Sequence, residues 1–176
     1  MNIYTAIPLP EEIKDKFVDL AHGKLPFPYV NTINLHITLN FLGDLDTDSQ
    51  AFVAKLWAEG LPKLKKIKIE FDQVVKFRTQ LHLTLKPNPE LEQLVKKLWD
   101  ILKPLGYKSN YPNFYPHVTI GNLHMDKVMF RERKIADFPN EALNKLSFVA
   151  DRIVMFQSKL LLHHPQHIEL AEHKLV

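Results

Sequence analysis

Two short stretches of the chain carry the same pair of side chains at the same spacing. One is His36-Ile37-Thr38, and the other is His117-Val118-Thr119. Both stretches alternate apolar and polar residues, a pattern typical of a β-strand, in which the side chains at i and i+2 share a face. Each strand is therefore expected to hold an imidazole beside a hydroxyl. An imidazole with an unperturbed pKa of about 6.5 can give or take a proton near neutral pH.

Two such strands that face each other across a cleft suit a reaction at phosphorus. Phosphoryl transfer needs a nucleophile and a leaving group roughly in line. One neutral histidine would take a proton from the attacking water or hydroxyl, and the other, protonated, would give one to the departing oxygen. The hydroxyls of Thr38 and Thr119 would donate to the non-bridging oxygens. This scheme makes His36 and His117 the catalytic pair, Thr38 and Thr119 the phosphate-binding pair, and needs no metal or other cofactor.

An internal repeat explains how the two motif strands would meet. The runs Ile7–Glu12 and Lys86–Leu91 both contain Pro-x-Pro-Glu or a close variant, and each precedes a helical pattern. Pro87 follows Pro8 by 79 residues, and His117 follows His36 by 81. Each half thus contains a strand, a helix, a Pro-rich loop and a His-x-Thr strand. We expect a single two-lobed α+β domain over residues 1–176, with the motif strands related by a pseudo-twofold axis.

The run Leu81–Leu85 contains a third His-x-Thr pattern, at His82. The 79-residue offset places His82 opposite Ile3, on the first strand of its half, and we therefore interpret His82 as a structural or cleft-edge residue. His163, His164 and His167 could suggest a metal site, but no carboxylates lie near them at ligand spacing, and we expect none.

The C-terminal third is expected to contain one strand over Phe148–Phe156, a turn over Leu160–His167 and a short closing strand over Ile168–Leu170. Residues 125–146 are expected to form a loop with some helix.

Composition excludes some classes of protein. There are no cysteines among the 176 residues, which excludes disulfides, thiolate nucleophiles and Cys-ligated zinc. The net charge of +3 fits an anionic ligand without requiring one. The N-terminal residues lack the features of a signal peptide, and no apolar run approaches the roughly 18 residues of a membrane span, so a cytoplasmic location without membrane attachment is expected.

The chain resembles the 2H phosphoesterases, in particular the bacterial and archaeal RNA 2′,3′-cyclic phosphodiesterases that are often labelled 2′-5′ RNA ligases. The resemblance is carried by Tyr4–Glu11, Asn34–Gly43, Phe114–Ile120 and Phe156–Leu160. It implies a bilobal fold of two antiparallel sheets around a central cleft with helices outside. It also implies hydrolysis of 2′,3′-cyclic phosphate ends of RNA to 2′-phosphates, by a protein expected to act as a monomer.

The resemblance also suggests roles for individual residues. By analogy His36 is the acid and His117 the base. Similar proteins often carry an Arg five residues after the second motif His, where this chain has Asn122. They often use an aromatic residue to stack on a base, for which Tyr4 and Tyr115 are the candidates here. A cation for the phosphate could come from Arg78, Arg131 or Lys159.

Three alternatives stay open at this point. The same histidine pair could act on a small cyclic nucleotide, a 2′-5′-linked oligonucleotide or an ADP-ribose cyclic phosphate. The fold could serve a non-catalytic protein that binds RNA ends, although binding alone needs no acid–base pair. A ligase that runs the reaction backwards would need the same residues and a free 5′-hydroxyl.

Overall fold

The computed structural model describes residues 2–22, 24–25, 34–61, 63–107, 114–122, 135, 138–160 and 165–176. Its strands are β1 (Asn2–Pro8), β2 (His36–Asp44), β3 (Ile67–Phe77), β4 (Gln80–Leu85), β5 (His117–Asn122), β6 (Ser147–Ala150), β7 (Arg152–Leu160) and β8 (Pro165–Lys174). Its helices are α1 (Glu11–Ala21), α2 (Thr47–Gly60), α3 (Pro89–Leu102), which a 3₁₀ turn continues (Lys103–Leu105), and the short α4 (Asn140–Leu143).

The helices begin where the sequence provides helix-start signals. The Asn88 side chain accepts a hydrogen bond from the Leu91 amide at 3.0 Å, and Pro89 occupies the first turn of α3. Asp46 caps α2 through the Ser49 amide at 2.8 Å. Each helix then buries one apolar stripe against the sheet. The stripe of α3 contains Leu91, Leu94, Val95, Leu98 and Leu102.

The eight strands form one antiparallel array in the order β6-β3-β4-β5-β2-β1-β7-β8. This order is symmetric about its centre. The two motif strands, β5 and β2, are central, and the first strand of each half, β4 or β1, lies beside its motif strand. The halves are joined between β2 and β5 through the pair of Ile37 with Val118. The predicted α+β class is confirmed, and the strand order is symmetric about the pair of motif strands. The two predicted sheets are joined here into one eight-stranded sheet.

The prediction of one strand over Phe148–Phe156 is wrong. The chain changes halves at Asp151: β6 pairs with β3, whereas β7 pairs with β1 and β8. The stretch from Phe148 to Phe156 therefore contributes to two strands with different partners. The closing strand is also longer than expected, because β8 pairs along the whole of β7, from Arg152 to Leu160.

The two faces of the sheet differ in character. Ile7, Ile37, Val118 and Leu83 form a buried row across the four central strands, on the face that packs against the helices. The opposite face carries both His-x-Thr motifs. None of the helices among the described residues has the length and apolar character to cross a membrane.

Candidate active site

The motif side chains lie together where the two halves join. Within each motif the central residue is buried, with Ile37 and Val118 both at 0% exposure, while the flanking His and Thr are half-buried on the other face. Antiparallel pairing of Ile37 with Val118 places His36 beside Thr119, and it places Thr38 beside His117. Each histidine therefore has the threonine of the other motif as its neighbour, about a local twofold axis through the central pair.

Both motif histidines are held in the same way by the backbone. The Nδ1 atom of His36 lies 2.5 Å from the carbonyl oxygen of Asn34, and that of His117 lies 2.9 Å from the carbonyl oxygen of Tyr115. A carbonyl only accepts, so Nδ1 is the protonated nitrogen in each ring. Nε2 is then left for substrate, as an acceptor in neutral imidazole and as a donor in imidazolium.

The surroundings of both rings disfavour the charged form. Burial, with the charges of His167 and His117 as lesser causes, lowers the pKa of His36 to about 4, although the hydrogen bond to Asn34 acts in the opposite direction. Burial also lowers the pKa of His117, against the hydrogen bond to Tyr115. In the free protein at neutral pH both rings are neutral, so the acid must acquire its proton when the substrate binds.

A closed set of rings surrounds His36. Its ring centroid lies 4.9 Å from that of Tyr4, 6.2 Å from that of Phe156 and 5.4 Å from that of His167. Tyr4 is only 4% exposed and stacks on Phe156 at 5.5 Å. The ring of Tyr4 already contacts both Phe156 and His36, which leaves little of it for the expected stacking on a base.

His167 belongs to this set, although the sequence pointed to a turn at that position. Its Nδ1 is hydrogen-bonded to the hydroxyl of Tyr4, which joins β8 to β1 across the face that carries His36. Because β8 begins at Pro165, His167 lies inside a paired strand, opposite Ser158. The available signal was the alternation His167-Ile168-Glu169-Leu170, which the nearby Pro165 obscured.

The rings around His117 form a different arrangement. His82 stacks on His117 with centroids 3.9 Å apart and planes 17° apart. Tyr115 lies 5.4 Å from His117, and Phe77 lies 5.3 Å from His82. The sequence identified Tyr115 as a candidate but gave no role to Phe77.

The third His-x-Thr pattern serves the structure around His117. Strand β4 lies beside β5 with His82 opposite Thr119, which confirms a place on the first strand of its half. The hydroxyl of Thr84 donates to the carbonyl of Gln73 at 3.1 Å, so it is committed to the backbone of β3. His82 is 3% exposed, and burial, with the charge of His117 as a lesser cause, lowers its pKa to about 4.

The observed strand register gives His82 a different equivalent in the first half from the one that the sequence predicted. Thr119 faces His82, and Thr38 faces Ala6, so Ala6 rather than Ile3 is the equivalent residue. The 79-residue offset was taken from the prolines. Strand β1 ends at Pro8, but β4 ends two residues before Pro87, and the offset therefore does not apply within the strands.

A cavity of about 350 Å³ opens beside His36, with Tyr4, Phe156 and His167 in its wall. Two cations line it, and both have acidic partners. Lys14 donates to Glu11 at 2.7 Å, and Arg152 donates to Glu169 and Glu172 at 3.1 and 2.9 Å. This cavity provides access to His36 without an excess of positive charge.

Several residues named in the sequence analysis lie outside the described residues, namely Arg131, His163, His164 and the side chain of Asn122. Within the described ranges no three His, Cys, Asp or Glu side chains are grouped so that they could hold a metal ion.

Comparison with known proteins agrees with the geometry of the motif strands. Residues 9–160 match the family described as the 2′-5′ RNA ligase superfamily. The chain belongs to this superfamily. Two similar proteins are named RNA 2′,3′-cyclic phosphodiesterase. That of Methanocaldococcus jannaschii is 28% identical over 144 residues, covering 78% of both chains, and that of Bacillus subtilis is 25% identical over 167 residues, covering 90% of this chain and 88% of the other.

The fold of this superfamily member is also that of solved structures. Escherichia coli LigT in its apo form superposes with a TM-score of 0.78 at 22% identity, covering 99% of this chain and 96% of LigT. The predicted 2H phosphoesterase fold is thereby confirmed.

Proposed function

We propose that this protein is a hydrolase that opens the 2′,3′-cyclic phosphate at the end of an RNA and leaves a 2′-phosphate. The observation that carries the proposal is the symmetric anchoring of His36 and His117, whose Nδ1 atoms both donate to backbone carbonyls and whose Nε2 atoms are left for substrate. Paired imidazoles with this orientation can serve both proton transfers of a phosphodiester hydrolysis. The names of the relatives from M. jannaschii and B. subtilis support the same substrate.

The proton transfers balance with these two residues. A water oxygen attacks phosphorus while Nε2 of one neutral histidine takes its proton. The bond from phosphorus to O3′ breaks, and the other histidine, protonated, donates from Nε2 to O3′. The products are a 2′-phosphomonoester and a 3′-hydroxyl, and the two histidines have exchanged protonation states. Proton exchange with solvent restores the starting state.

We assign the acid to His36 and the base to His117. The pKa of about 4 for free His36 would by itself favour the reverse. Yet the burial that lowers this pKa also strengthens the attraction between an imidazolium and a bound phosphodiester anion, because charges interact more strongly where water is excluded. Binding of the anion should therefore raise the pKa of His36 strongly and supply the acid.

Thr38 and Thr119 are proposed to hold the non-bridging oxygens. The pairing of β2 with β5 places each hydroxyl beside the histidine of the other motif. A phosphate centred on the local twofold axis would then meet two histidines and two hydroxyls. Such fixed donors stabilise the charge that develops in the transition state.

A nucleotide end rather than a phosphate alone is the proposed ligand. E. coli LigT, whose fold this chain shares, has been solved with 3′-AMP bound. Among the alternatives, a small cyclic nucleotide would fit the same chemistry, but the names of the relatives from M. jannaschii and B. subtilis specify RNA. A non-catalytic binder is not favoured, because it would have no use for two anchored imidazoles.

The test is a hydrolysis assay with an RNA that ends in a 2′,3′-cyclic phosphate, in the presence of EDTA. We expect the cyclic end to be converted to a 2′-phosphate, identified by resistance of the product to a 3′-phosphate-specific phosphatase. A cyclic mononucleotide tested in parallel shows whether the protein prefers an RNA end or a small cyclic nucleotide as its substrate. Absence of turnover over hours by folded protein would refute the proposal.

A further inference from the structure

A third histidine lies beside His36 and has no role in the reaction described so far. His167 is half-buried on β8 and lines the cavity of about 350 Å³ together with Tyr4, His36 and Phe156. The centroid of its ring lies 5.4 Å from that of His36. A ligand that reaches His36 through this cavity therefore lies close to His167. What His167 can do there depends on which ring nitrogen carries the proton.

The hydroxyl of Tyr4 determines where that proton lies. Tyr4 is 4% exposed, and among the described residues its hydroxyl has one hydrogen-bond partner, Nδ1 of His167. A buried hydroxyl proton needs an acceptor, so the hydroxyl donates to Nδ1, which must be unprotonated. Burial lowers the pKa of His167, which keeps its ring neutral at neutral pH. The single ring proton therefore lies on Nε2.

This tautomer is the opposite of the one in the motif histidines. His36 and His117 each donate from Nδ1 to a backbone carbonyl, and their neutral rings present an unprotonated Nε2. His167 presents an N–H at the same atom. Its ring can donate a hydrogen bond from Nε2 but cannot accept a proton there, so it does not compete with the motif histidines for the protons of the reaction.

The Nε2–H group of His167 is available to a ligand, because no described residue accepts a hydrogen bond from it. The carboxylate two residues along β8, that of Glu169, accepts from Arg152 with both of its oxygens, at 3.1 and 3.3 Å, and is already paired. A donor in a half-buried position gains most from an acceptor that carries negative charge. An oxygen of a phosphodiester is such an acceptor.

We propose that His167 is a substrate-binding residue that donates from Nε2 to a phosphodiester oxygen next to the bond whose leaving oxygen His36 protonates. The proposal rests on the proposed function, since it adds a hydrogen-bond donor to that reaction. Tyr4 is a positioning residue in this arrangement, because its hydroxyl holds the ring of His167 in the donating tautomer.

This donor distinguishes the two halves of the site. Next to His117 lies the ring of His82, which is 3% exposed and whose Nε2 is already hydrogen-bonded to Oε1 of Gln80 at 3.1 Å. That ring therefore does not offer the substrate a donor equivalent to Nε2 of His167. The phosphodiester should be held more firmly on the His36 side than on the His117 side.

The experiment places an amide donor at one or the other nitrogen position of His167. His167→Phe keeps a flat ring without a donor. It should lower kcat/KM for RNA ending in a 2′,3′-cyclic phosphate by roughly 10- to 100-fold, the usual contribution of a hydrogen bond to a charged group. His167→Gln carries its amide at about the distance of Nε2 and should recover much of this loss. His167→Asn carries its amide at about the distance of Nδ1 and should not.

Two further variants complete the set. His173→Phe makes the same substitution on the same strand, at a residue that is not among those described in the cavity wall, and should leave kcat/KM unchanged. Tyr4→Phe keeps the aromatic ring but releases Nδ1 of His167, and should lower kcat/KM by a smaller factor than His167→Phe. Circular dichroism and thermal melting establish that each variant is folded. If His167→Phe does not fold, the comparison of His167→Gln with His167→Asn gives the result.

Two measurements without turnover separate this inference from the proposed function. Nitrogen NMR shifts of the free protein should show the Nε2–H tautomer at His167 and the Nδ1–H tautomer at His36 and His117. Fluorescence anisotropy of a labelled RNA ending in a 2′-phosphate should show weaker binding by His167→Phe than by His167→Gln. Both results would support the inference even if the unaltered protein hydrolysed nothing. An Nδ1–H tautomer at His167, no effect of His167→Phe, or equal recovery by Gln and Asn would overturn it.

Discussion

The two motif histidines lie on equivalent strands but in unlike surroundings. His36 faces Tyr4, Phe156 and His167, a group in which Tyr4 is 4% exposed, whereas His117 adjoins Tyr115, which is 45% exposed. The rings around His36 pack closely on one another, and a cavity of about 350 Å³ gives access to them. The half around His117 is open and presents ring faces to a ligand. A symmetric backbone can thus carry an asymmetric reaction, since the acid and the base need different environments.

The cause lies in the outer strands of the two halves. Around His36, β7 and β8 run for 9 and 10 residues and provide Phe156 and His167. The outermost strand of the other half, β6, has only 4 residues. The longer strands cover the cleft face on one side, and the shorter strand leaves it open on the other.

The largest expected effect is loss of either motif histidine. His36→Ala and His117→Ala should each lower kcat by at least ~10²-fold, because each removes one of the two proton transfers. Hydrolysis of cyclic-phosphate RNA is the measurement, and His22→Ala, in an exposed histidine after α1, is the control. A small loss in only one variant would mean that one half does not take part in the chemistry.

An activated substrate then distinguishes the roles of the two halves. A phosphodiester with a p-nitrophenolate leaving group needs no proton on departure. The variant without the acid should recover much of its activity on this substrate, and the variant without the base should not. We expect recovery in His36→Ala. Recovery in His117→Ala instead would reverse the assignment and follow the pKa order of the free protein.

The next effect is on the phosphate donors. Thr38→Val and Thr119→Val keep the shape of the side chain but remove its hydroxyl, and each should lower kcat by roughly 10²-fold. KM should change less than kcat, because the charge on these oxygens grows in the transition state. Equal losses in the two variants would show that the phosphate lies on the twofold axis, and unequal losses that it lies closer to one half.

A smaller effect is expected from His82, which stacks on His117 in the open half. His82→Ala should lower kcat far less than His117→Ala, because His82 positions a ring and transfers no proton. His82→Phe retains a flat ring in the stack and should be closer to the unaltered protein than His82→Ala. If His82→Ala were instead the most damaging of the histidine variants, the third motif would be part of the chemistry.

The smallest expected effect is a dependence of the free energy of unfolding on pH. The folded pKa of His36 and of His82 is about 4, below the unfolded value of about 6.5. Between these values the unfolded chain binds more protons than the folded one, so the free energy of unfolding should fall as pH falls from 6.5 towards 4. Melting temperatures over this range should show the decrease.

The His82→Phe variant provides the matched control for this decrease. It removes one of the two groups, as well as an Nδ1 atom that has no hydrogen-bond partner among the described residues. Its melting temperature should depend less on pH below 6.5. An unchanged slope would mean that His82 does not bind a proton on unfolding.

The sequence was sufficient to predict that the two motif strands lie side by side. Alternation around Ile37 and Val118 defined which side chains share a face, and the repeat paired the two strands and assigned His82 to a different one. What it could not supply is register. The bulges between Thr5 and Ala6 and between Leu81 and His82 decide which rings touch, and they result from pairing between strands rather than from local pattern.

Contacts from distant strands were missed for the same reason. His167 reaches Tyr4 across 163 residues of sequence. The break at Asp151 was missed, although Asp151 and Arg152 interrupt the apolar residues between Phe148 and Phe156. The sequence did not single out Phe77, because an aromatic residue before a turn is common. Only the exposure of its side chain near His117, seen in the structure, distinguishes it.

The change of halves at Asp151 also has a consequence for how the chain assembles. One half consists of β3 to β6, which are consecutive in the sequence. The other half consists of β1 and β2 from the N-terminal part of the chain and β7 and β8 from the C-terminal part. During synthesis on the ribosome, the half with His117 can fold while the other still lacks its outer strands. Long-range pairing of β1 with β7 is the slower event. Proton-transfer chemistry would thus be switched on last, when the final hairpin encloses His36.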